Sequence, residues 1–173
     1  MCKQYTIFQK ERIVGLIALF AVLAVIAVAV GVSCGRSEDA LATCWAMCKP
    51  GSKVTVRSEP KKDSEERGYL ECGDSFQTDA EEEDGWIRCY GVGEGGWVFC
   101  GYVATEKPVE VGERYVCVAN VRAACRKWIG GPQIDGYEWI KNGQTCQVFV
   151  TDGEWAVTNR GYIKMEWLEV DPE

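Results

Sequence analysis

Ten cysteines and no histidine set the chemistry open to this chain of 173 residues. Histidine is the commonest general base and the usual partner of a nucleophilic Ser or Cys, so its absence argues against an enzyme. Cys44-Trp-Ala-Met-Cys48 has a spacing that can clasp zinc. A structural zinc site, however, needs a second Cys or His pair at similar spacing, and the remaining cysteines are scattered. The densest acidic run, Asp79-Ala80-Glu81-Glu82-Glu83-Asp84, lacks the alternation and internal glycine of a calcium loop and reads as a solvated turn. The sequence therefore predicts no catalytic residues, no metal and no cofactor.

Charge and hydropathy predict an exported chain, kept at the membrane by an uncleaved anchor or by lipid on Cys34, with simple secretion as the remaining alternative. Ile13 to Val32 carries no charge, Pro, Asn or Gln, long enough as a helix to span a bilayer core of ~30 Å. Lys3, Lys10 and Arg12 precede it and Glu38 and Asp39 follow it, so the bulk of the chain is expected outside the cytoplasm. Cys34 at the outer end of that segment resembles the lipidation site of bacterial lipoproteins, although Gly31 stands where that pattern has an aliphatic residue. From Cys34 onward there are sixteen Lys and Arg against twenty-five Asp and Glu, a net of −9. That balance disfavours nucleic acid, and equally an anionic polymer held by simple charge attraction. Any basic footprint has to be local, and Arg122, Arg126, Lys127 and Lys141 are the only hint of one.

Two stretches, Val54 to Val103 and Val118 to Leu168, carry the same landmarks in the same order. Val56-Arg57-Ser58 is matched with Val121-Arg122-Ala123, the Gly73-Asp74 turn with Asn142-Gly143-Gln144, Trp86 with Trp155, and Gly96-Trp97-Val98 with Gly161-Tyr162-Ile163. Such periodicity marks an internal repeat. Units of about 60 residues bury too little surface to be robust alone, and cystines in an oxidising compartment can brace them. In this alignment Cys89 falls opposite Thr158 and Cys100 opposite Met165, so both vanish together, and a Cys89–Cys100 disulfide is expected. The other pairings stay open.

The local pattern is all-β. Lys53-Val54-Thr55-Val56-Arg57 alternates like a half-buried strand, Pro60 and its charged neighbours form a loop, and Gly91 to Gly96 links two hairpin strands. Five short strands per unit without an amphipathic helix imply a small, partly open barrel. The expected organisation is a cytoplasmic 1–12, a transmembrane or signal-anchor helix 13–32, an exported linker 33–48, and barrels at 49–106 and 113–170.

VRSEP (56–60), ECGDSFQ (71–77), DGWIRC (84–89) and GGWVFCGYV (95–103) resemble the motifs of the bacterial SH3 domain, the exported SH3b type. The second unit is similar but more diverged, with VRAACRK (121–127) in place of the Ser-Gly-Pro loop start and Tyr162 in place of the final hairpin Trp. The resemblance implies two tandem SH3-like barrels behind a single transmembrane helix. It also implies binding to peptidoglycan or another cell-envelope ligand, at the cell membrane with the C-terminal domains extracytoplasmic. Docking of a partner protein as an interaction or sensor module is the alternative. By position the ligand-binding residues are Tyr69, Tyr90, Trp97, Tyr102, Trp128, Tyr137 and Trp139, with Trp128, Tyr137 and Trp139 the preferred exposed contacts. Aromatic side chains suit sugars and peptides because they present large rigid faces.

Overall fold

The computed structural model describes residues 41–136 and 138–172. The predicted membrane segment, Cys34 and Tyr137 lie outside them. Among the described residues no helix is long and apolar enough to cross a membrane, and these residues are all-β, with antiparallel pairing throughout.

Among the described residues eight strands come from the first half: β1 Ala42–Ala46, β2 Lys53–Arg57, β3 Glu66–Glu71, β4 Ser75–Thr78, β5 Glu82–Glu83, β6 Trp86–Cys89, β7 Gly96–Phe99 and β8 Val103–Ala104. Seven come from the second: β9 Val109–Cys117, β10 Arg122–Ala124, β11 Trp139–Lys141, β12 Thr145–Thr151, β13 Trp155–Thr158, β14 Gly161–Lys164 and β15 Leu168–Val170. A single 3₁₀ turn precedes the last strand of each half, at Cys100–Tyr102 and Met165–Trp167.

One pairing scheme is executed twice. β1 pairs with β4 and β8, as β9 pairs with β12 and β15. The hairpins β2–β3 and β6–β7 correspond to β10–β11 and β13–β14. The hydrogen bonds agree residue by residue. Ala46 N–H donates to Asp74 O at 2.8 Å and Met47 N–H to Tyr102 O at 2.8 Å, while Cys117 N–H donates to Gln144 O at 2.9 Å and Val118 N–H to Trp167 O at 3.0 Å.

This register corrects three expectations. Residues 42–46 are not linker: alternation puts Cys44 and Ala46 into the first core, so β1 is an integral strand. The counterpart of Arg57 is Arg126 rather than Arg122. Arg57 pairs with Trp97 and Arg126 with Tyr162, and each guanidinium donates to a carbonyl of the following long loop, to Ser64 O at 2.7 Å and to Gly131 O at 2.6 Å. Thirdly, Cys89 lies opposite Gly96, while Cys100 follows Phe99, which lies opposite Trp86 at the other end of the hairpin. Four residues of strand separate the two cysteines by about 13 Å, well beyond the ~7 Å Cα separation a disulfide spans. The Cys89–Cys100 bridge is therefore not made.

Each half has its own core, and a third apolar cluster joins them. Val54, Val56, Leu70, Phe76, Cys89 and Val98 fill the first; Cys117, Cys125, Ile140, Val148, Ala156 and Ile163 fill the second. The joining cluster sets Met47 and Ala104 against Ile129, Val150, Trp155, Val157 and Tyr162. All four residues of β13 are consequently buried, Ala156 toward the second core and Trp155 and Val157 toward the seam. The Tyr162 hydroxyl closes the seam by donating to Met47 O at 2.8 Å.

Candidate binding site

The outer face of β3-β2-β7-β6 collects three of the aromatics singled out by sequence. Thr55 pairs with Tyr69 and Arg57 with Trp97, while Arg88 lies opposite Trp97, so alternation brings these side chains to the face away from the core. Polar contacts link them in series. The Tyr69 hydroxyl donates to Glu66, whose carboxylate meets Arg57 at 3.3 Å. The Arg88 guanidinium stands 5.2 Å from the Trp97 ring centre and 5.9 Å from that of Tyr90. The Tyr90 hydroxyl donates to Asp79 at 2.7 Å. Burial pushes the Asp79 carboxyl up, but bonds from Tyr90 and backbone N–H groups, with Arg88 nearby, outweigh it and hold its pKa below the usual range. Tyr69 is half exposed, whereas Trp97 is only 6 % exposed and presents little contact area of its own.

Trp128 is not the exposed contact expected of it. Its ring packs edge-on against Phe99, with centroids 5.2 Å apart, and lies against Gly101, while Ile129 N–H donates to Gly101 O at 3.0 Å. The long loop of the second half is thus used to cover the first. Trp139, by contrast, is 37 % exposed on β11 with the Arg122 guanidinium stacked 3.9 Å from its ring centre.

Tyr102 marks a different place. It lies 6.2 Å from Tyr162 between ring centres, and both line a groove of about 390 Å³ whose walls come from the two halves. Lys49, Lys53 and Lys127 stand around it with Asn159 and Thr158, and no carboxylate lines it. Lys53 meets Glu71 at 3.3 Å and Lys127 meets Asp135 at 2.9 Å, surface pairs that hold each cation only weakly. Lys127 and Tyr162 are legible in the sequence as candidates, whereas Lys49, Lys53 and Asn159 are not, because only the seam brings them together. A second hollow of about 370 Å³, at Pro50, Glu110, Val111 and Phe149, has one carboxylate and no cation in its lining.

Among the described residues no group of three or more His, Cys, Asp or Glu is placed to hold a metal. Burial pushes the thiol of Cys44 to about 11 and that of Cys89 to about 12, which makes both poor nucleophiles. The arrangement can stack rings and hold anionic groups.

No family model matches the chain, and no curated protein resembles it in sequence. Solved structures that align with it include NlpC2 and NlpC1 from Trichomonas vaginalis. Their identities are 11% and 12% and their TM-scores 0.32 and 0.33, over 78% and 80% of this chain and 50% and 49% of theirs. The chain spans about half the length of those proteins.

Proposed function

We propose that this chain is a membrane-tethered, exported, non-enzymatic binding protein built on tandem SH3b-like barrels, with peptidoglycan or another anionic envelope polymer as its ligand. The observation that supports this most is the groove between the halves. In a chain so acidic overall, three lysines and two tyrosines line one hollow without a carboxylate. Carboxylates of a wall peptide meet the ammonium groups, sugar rings lie on Tyr102, and Asn159 offers donor and acceptor to amide or hydroxyl. The exposed Tyr69 and the Arg122-stacked Trp139 extend the contact surface beyond the groove.

The test is co-sedimentation of the full chain in detergent with purified peptidoglycan. The wild type is expected to pellet, and the triple variant Lys49→Glu, Lys53→Glu, Lys127→Glu to bind about tenfold or more weakly, since like charges then face the ligand. Added salt should weaken the wild type as well. Failure of the wild type to pellet would favour partner-protein docking, and equal pelleting by the variant would remove the groove from the reading.

A further inference from the structure

We infer that Cys48 and Cys72 are a dithiol site that closes to a reversible disulfide between the exit of β1 and the β3–β4 turn. This is independent of what the groove binds.

The backbone puts the pair together. Ala46 N–H donates to Asp74 O and Gly73 N–H to Ala46 O, both at 2.8 Å, which clamps the end of β1 onto the turn. Cys48 follows Ala46 by two residues and Cys72 immediately precedes Gly73, and both side chains pack in the first core, near enough for each thiol to bear on the other's acidity. Cys48 is buried at 5 % in the first core, and Cys72 packs against both that core and the joining cluster. A disulfide needs the two sulfurs at ~2.05 Å, and the clamp sets the two residues on adjoining backbone segments.

The second half lacks the pair as a pair. The matched hydrogen bonds make Ala119 the counterpart of Cys48 and Asn142 that of Cys72. Neither half keeps a single stranded partner, as expected when two residues serve one crosslink. Cys44 and Cys100, replaced by Tyr115 and Met165, also disappear together, and Cys44 is near enough to bear on Cys100, but burial holds both thiols in the protonated form.

Access and acidity give the order of events. Cys72 is partly exposed, whereas Cys48 opens only onto the groove wall. Cys48 has one S–H, which can be donated to Ser52 O at 3.4 Å or to Cys72. Donation to Cys72 stabilises a thiolate there and pulls its pKa down, against the opposing effects of burial, Glu110 and Asp74. The same contact, together with burial, pushes Cys48 up. Cys72 is therefore the attacking sulfur.

The oxidant is a small-molecule disulfide. The Cys72 thiolate attacks one of its sulfurs, forming a mixed disulfide and releasing one thiolate. Cys48 then loses its proton, attacks the Cys72 sulfur and expels the second thiolate. Two protein thiols are oxidised, one external disulfide is reduced to two thiols, and no other electron carrier is involved.

The test is to incubate the full chain in detergent with oxidised glutathione at about pH 8, block remaining thiols with N-ethylmaleimide, and map peptides without reduction. The expected crosslink joins the peptide of Cys48 to that of Cys72, with fragmentation placing it on Cys48 rather than Cys44, and dithiothreitol reverses it. Closing the loop should raise the melting temperature by about 5–10 °C. Cys72→Ser should show neither the crosslink nor the rise, and Cys48→Ala serves if that variant fails to fold. Full alkylation of Cys48 and Cys72 after oxidation, or a bond from either to another cysteine, would overturn the assignment.

Discussion

Trp155→Ala is expected to lower the unfolding free energy by about 3–5 kcal/mol, the cost of removing a large buried ring and leaving a cavity. Trp155 is 4 % exposed and packs in the joining cluster with Met47, Ala104 and Tyr162, so its loss loosens both the second half and its junction with the first. Its counterpart gives the comparison. Trp86 is partly exposed and meets Phe99 edge-on at 5.6 Å, so Trp86→Ala should cost about 1–2 kcal/mol. Urea unfolding measures both, with midpoints compared at unchanged slope. Equal losses would mean that the seam is not a shared core.

Gly96→Ala and Gly161→Ala should each cost about 3 kcal/mol or more, seen as a collapse in soluble yield or a large fall in denaturation midpoint. A Cβ at Gly96 would meet Arg57 O at 2.3 Å, and one at Gly161 would meet Arg126 O at 2.6 Å and Ile134 Cδ1 at 2.3 Å. The obstructing carbonyl in each case belongs to the paired segment and cannot rotate away. Gly161 also has φ +106, a conformation that other residues rarely adopt. Gly143→Ala is the control: with φ +76 but open space around it, it should cost only about 1 kcal/mol. Near-neutral behaviour of Gly96→Ala and Gly161→Ala would contradict the doubled register.

That pair of glycines also shows what was legible in the sequence. Gly96-Trp97 and Gly161-Tyr162 were matched from local pattern alone, and the hairpins fell where turn residues placed them, because those signals lie within a few residues of one another. The match of Arg57 to Arg122 failed because a shared Val-Arg dipeptide outweighed burial: Val121 is 74 % exposed, while Cys125, beside Arg126, is fully buried like Val56. Strand β1 was missed because its partners, β4 and β8, lie some thirty and sixty residues further along the chain. The seam had one readable signal. Arg88 on β6 is replaced by Val157 on β13, making the second strand apolar on both faces, as strands covered on both sides are. That Trp128 covers Gly101 is a long-range contact with no local pattern to announce it.

The central claim is that the groove at this seam is the place of binding. The most direct measurement is an NMR titration of the full chain in detergent with a soluble peptidoglycan fragment, following backbone amides. The account predicts saturable shifts concentrated at Lys49, Lys53, Tyr102, Lys127 and Asn159. Shifts confined to other surfaces, or none at millimolar fragment, would contradict it.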